Sequence, residues 1–100
     1  MQKILICDPD KLFRCNLGYV LESKGFVVQE ASRPSEAVKY VLKEEFGAVI
    51  FNMQLEDLNG VQIFSAIKAI DNKLPVIIVT DGDVTLSSVS SIIHESFKLF

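Results

Sequence analysis

Short apolar runs alternate with longer amphipathic stretches along this chain, the pattern of a parallel sheet whose crossovers are helices. Lys3-Ile4-Leu5-Ile6-Cys7 is continuously apolar after its lysine and predicts a central strand buried on both faces. Phe26-Val27-Val28-Gln29-Glu30 is more polar, as suits an edge strand. Gly47 to Phe51 and Pro75 to Val79 predict two more strands, and Ser96-Phe97-Lys98-Leu99-Phe100 a fifth.

The stretches between them carry helical spacing. Phe13, Leu17, Val20 and Leu21 fall at i, i+4, i+7 and i+8, which places them on one face of a first helix. Lys24 and Gly25 end it, a cation in the last turn followed by glycine. A second helix begins near Pro34 with Ser32 as its cap and buries Ala37, Val38, Val41 and Leu42. A third starts after Gly60, buries Ile63, Phe64, Ile67 and Ile70, and closes at Asn72 and Pro75. The last, from about Val84 to His94, turns Val89, Ile92 and Ile93 inward, although its serines weaken it. The order is βαβαβαβαβ with right-handed crossovers. Strand order 2-1-3-4-5 makes this a doubly wound α/β sheet, with a crevice beyond the carboxyl ends of strands one and three.

One hundred residues, 49% of them hydrophobic, suffice for a single domain over residues 1–100. A net charge of -3 with scattered basic residues gives no electrostatic reason for nucleic acid or an anionic membrane as a direct partner. No apolar run is long enough to span a bilayer, and Met1-Gln2-Lys3 leads straight into a strand without a signal-peptide pattern, so the expected location is cytoplasmic. Cys7 and Cys15 lack redox or zinc spacing and read as two buried thiols. His94 is the only histidine, which rules out a site of the Cys/His metal type.

Chemistry gathers at the strand ends: Asp8-Pro9-Asp10, Asn52, and Thr80-Asp81-Gly82. Converging acids suit a hard cation such as Mg²⁺. Asp before Pro and Asp-Gly are equally ordinary turn chemistry.

Ile4-Leu5-Ile6-Cys7-Asp8, the segment Asn52-Met53-Gln54-Leu55-Glu56-Asp57-Leu58-Asn59-Gly60, and Thr80 together resemble response-regulator receiver domains, with the order and spacing kept over residues 2 to 100. The resemblance implies a flavodoxin-like five-stranded sheet. It also implies a mechanism in which paired acids hold Mg²⁺, an aspartate after the third strand takes a phosphoryl group, and a threonine and a lysine bind it. Here Asn52 stands at the phosphoacceptor position, Thr80 matches the switch hydroxyl, and Asp8, Asp10 and Gln54 make a degenerate metal position.

The chain departs from the family at four places. Pro9 replaces the second acid of the pair. Asn52 replaces the nucleophile, and a neutral carboxamide does not form an acyl phosphate. Asp81 puts a carboxylate where the family prefers a small residue, repelling an incoming dianion. The chain ends before the family's lysine-proline pair and final helix, with Lys98 at an earlier strand position. The expectation is a domain truncated in or just after the fifth strand, with an uncovered apolar face that a second copy or another protein fills.

The expected function is that of a degenerate receiver in two-component or phosphorelay signalling. It is not an enzyme, requires no cofactor, and binds Mg²⁺ weakly at best. It acts through a protein partner or a homodimer at the fourth helix and fifth strand, with Val89, Ile93, Phe97, Leu99 and Phe100 as interface. The alternative is a fragment or mutant of a phospho-accepting response regulator. A flavin- or nucleotide-binding domain is more remote, because Asp8-Pro9-Asp10 brings two negative charges and lacks one N–H donor.

Overall fold

The computed structural model describes residues 2–52 and 58–79. Its elements are β1 (Lys3–Cys7), α1 (Lys11–Ser23), β2 (Val27–Ala31), α2 (Pro34–Lys43), β3 (Ala48–Asn52), α3 (Leu58–Ile70) and β4 (Val76–Val79). The four described strands are parallel, in the order β2-β1-β3-β4. The fourth helix and fifth strand of the expected architecture lie outside the described residues.

Alternation along the strands splits the core in two. Leu5 and Cys7 of β1 join Val49 and Phe51 of β3 beneath α2 and α3, which contribute Ala37, Val41 and Ile67. Ile4, Ile6 and Ile50 point the other way, onto Leu17 and Leu21 of α1. β1 is thus buried on both faces, as its unbroken apolar run requires, and β2 lies at the sheet edge.

The end of α1 sets where β2 begins. Gly25 sits at φ 93°, its N–H donates to the Glu22 carbonyl at 3.0 Å, and the Phe26 N–H reaches back to the Leu21 carbonyl at 3.2 Å. This is a Schellman closure, with Phe26 packed in the same cluster as Leu21. Phe26 is therefore used in ending the helix, and β2 runs Val27–Ala31 instead of starting at Phe26. Its register opens with Lys3 opposite Val27.

Other expectations are corrected by local geometry. Ser32 is not the cap of α2: Arg33 occupies that position without a side-chain bond, and the Ser32 N–H and hydroxyl both donate to Glu36 Oε1, at 3.0 and 2.8 Å. Helix α3 begins at Leu58, ahead of Gly60. Leu42 is 66% exposed, because α2 buries Ala37 and Val41, four residues apart, and Leu42 is turned about 100° from Val41. Ile70 ends α3 half out of the core. Cys15 is exposed, since it lies about 200° around α1 from the buried Leu17.

Candidate functional site

β1 and β3 are neighbours, with Cys7 opposite Phe51, and β3 pairs in turn with β4, Asn52 opposite Val79. The register therefore brings the residue after β1, Asp8, and the last residue of β3, Asn52, to the same carboxyl edge of the sheet. This is the crevice expected of a doubly wound fold.

Asp8 is 1% exposed. A buried carboxylate is tolerated only when polar groups surround it. Its Oδ1 accepts the Asp10 N–H at 2.7 Å, its own N–H donates to the Ala31 carbonyl at 3.1 Å, and its carbonyl accepts from Arg14 Nη1 at 2.6 Å. Arg14 Nε also donates to Glu30 Oε1 on β2 at 3.1 Å. Asp10 serves the fold, because its Oδ1 accepts the N–H groups of Leu12 and Phe13, at 2.9 and 3.4 Å, and so caps α1.

The charges around this turn show in the adjacent thiol. Burial, then the Asp8 and Glu36 carboxylates, push Cys7 up to about 12, against a lowering by Arg14. It stays protonated at neutral pH and is a poor nucleophile. Glu36 is lowered by the hydrogen bonds from Ser32.

Mg²⁺ demands a near-octahedral set of oxygen donors. Among the described residues no three acidic, Cys or His side chains come together at a point. Of the predicted metal residues, Asp8 is buried and hydrogen-bonded, while one Asp10 oxygen is committed to the helix cap. Pro9 offers no carboxylate between them. The described donors do not amount to a cation cage.

Asn52 is placed by its backbone at the end of β3. Gln54, Thr80, Val89, Ile93, Phe97, Leu99 and Phe100, with Asp81, lie outside the described residues. Arg14 and Glu30 are the residues that reading the sequence missed. The available signal was that Arg14 follows Asp10 by four residues, on the same side of α1 as the crevice turn. A cleft of about 410 Å³ lined by Val41, Glu44, Phe46, Ile70, Asp71 and Leu74 lies toward the opposite, amino end of the strands, away from Asp8.

The chain belongs to the response regulator receiver domain family, whose sequence pattern matches residues 4–95. Such domains are signalling modules of two-component systems. The chain is 32% identical over 79 residues to the sporulation initiation phosphotransferase F of Bacillus subtilis, a match covering 79% of this chain and 64% of that protein. It spans less than two thirds of that relative, and 17% of the transcriptional regulatory protein GlrR of Escherichia coli. Among solved structures, a response regulator receiver domain protein from Clostridium thermocellum is 26% identical with a TM-score of 0.82, over 99% of this chain and 96% of that one. The fold is also similar to that in the complex of histidine kinase ThkA with response regulator TrrA, with a TM-score of 0.72 at 22% identity, over 88% of this chain and 78% of that one. The flavodoxin-like parallel sheet is thereby established, and the complex shows a member of this fold class meeting a histidine kinase.

Proposed function

We propose that this chain is a receiver that no longer accepts phosphate and that works in signalling through protein contacts. The observation that carries the reading is the placement of Asn52: it ends β3, at the edge where Asp8 follows β1, so an amide stands where the family's mechanism needs a carboxylate nucleophile. Pro9 in the acid pair and Asp81 after Thr80 support it, as does the use of Asp10 as a helix cap.

On this reading residues 1–100 act as one domain in the cytoplasm, require no cofactor and catalyse nothing. The partner is a protein, either a histidine kinase or phosphorelay component or a second copy of the chain. The contact surface is the segment of the fourth helix and fifth strand, with Val89, Ile93, Phe97, Leu99 and Phe100. Incubation with radiolabelled acetyl phosphate and Mg²⁺ tests it: no hydroxylamine-labile label is expected on the protein. A stoichiometric label of that kind would sink the proposal.

The phosphotransferase named among the relatives favours a second reading, a phospho-accepting receiver altered at the acceptor. It predicts that Asn52→Asp alone restores labelling.

A further inference from the structure

Arg14 is not among the residues to which the receiver resemblance assigns phosphoryl chemistry, yet its guanidinium joins the crevice turn to the outer strand. We propose that Arg14 is a positioning residue that clamps the Asp8–Asp10 turn to β2, so that the placement of the crevice carboxylate depends on Glu30. Cys7 opposite Ala31 is the last pair of the β1–β2 ladder, and Asp8 stands one residue beyond it. The Asp8 N–H still reaches the Ala31 carbonyl, but the Asp8 carbonyl is taken up by Arg14 Nη1, at 2.6 Å.

The other side of the guanidinium meets Glu30 at 3.1 Å, one residue before the end of β2. Arg14 is the less exposed partner, its side chain 13% exposed against 46% for Glu30. A planar fork that donates in two directions fixes both partners at once, which a lysine ammonium on a flexible stem does not. The second link runs through the turn itself. The Asp10 N–H binds Asp8 Oδ1 and the Arg14 N–H binds the Asp10 carbonyl, so the carboxylate direction, the turn and the clamp share one small hydrogen-bonded ring. If the arginine served only through the packing of its methylenes, the Asp10 N–H would stay bound to Asp8 Oδ1 without the guanidinium; if it positions the turn, that bond loosens.

Amide hydrogen exchange of the full chain, followed by NMR, separates the two. The reporter is the Asp10 N–H, and Val49 and Ile50 in the middle of β3 report general opening. Arg14→Ala is expected to speed Asp10 exchange about tenfold or more relative to Val49 and Ile50, since the turn loses the charge-assisted hydrogen bond to the Asp8 carbonyl. Arg14→Lys recovers only part of it. Glu30→Gln, a change at a half-exposed position that leaves the fold intact, speeds Asp10 exchange by a smaller factor and adds nothing when Arg14 is already alanine. If Asp10 changes only in step with Val49 and Ile50, or if Glu30→Gln leaves Asp10 untouched, the clamp is refuted. The measurement involves no phosphate, so its outcome is independent of whether the crevice accepts one.

Discussion

Asp8 keeps a carboxylate in a nearly dry position, and the protein satisfies it with its own backbone at Asp10 and with the fixed turn that Arg14 holds. The two thiols of the chain sit in opposite surroundings. Cys7 is buried beside two carboxylates and Cys15 is in solvent, so a disulfide reagent at pH 8 should modify one thiol per native chain and two after denaturation. Two fast native thiols would contradict the packing of Cys7. The pH dependence has a definite sign. Cys7 is raised from 9.0 to about 12 on folding, so its contribution is complete below pH 9 and is lost as the pH climbs toward 12. The urea midpoint of the native protein should fall more steeply over that window than that of Cys7→Ala. Asp10 is also tested singly: Asp10→Ala removes the α1 cap and should cost ~1 kcal/mol in urea unfolding, and no loss would mean that the cap is dispensable.

Helix ends decide several of the element boundaries. The Lys24-Gly25 signal in the sequence marked the end of α1, because only a left-handed residue permits the Schellman closure there. An added Cβ at Gly25 meets no atom within 4 Å, so Gly25→Ala should cost ~1 kcal/mol through backbone conformation alone. Gly25→Asn should lose less, and equal losses would point to a packing cause. What periodicity could not show is which residues a closure consumes. Phe26 looks like strand by composition, yet its N–H is spent on Leu21. Leu42 is exposed for a related reason: an apolar side chain next to a buried one can still turn to solvent, and a short helix against one sheet face buries a narrower stripe than its sequence offers; Cys15 is exposed because it lies on the side of α1 away from Leu17.

At the scale of the molecule, the doubly wound topology was legible because β1 reads as a strand buried twice over and β2 as an edge, and the sheet places them so. The meeting of Asp8 with Asn52 at one edge followed from parallel pairing. The Arg14–Glu30 contact was not legible, since those side chains are 16 positions apart and meet only through the β1–β2 register. It gives the crevice turn a support that does not depend on phosphate, compatible with the proposed receiver that works without an acceptor. The most direct test of such a receiver is the intact mass of the Asn52→Asp protein after acetyl phosphate and Mg²⁺, beside the unaltered chain. Both should remain unphosphorylated, because Pro9 and Asp81 are still in place; a phosphorylated Asn52→Asp protein would show that a single amide is all that separates this chain from a working switch.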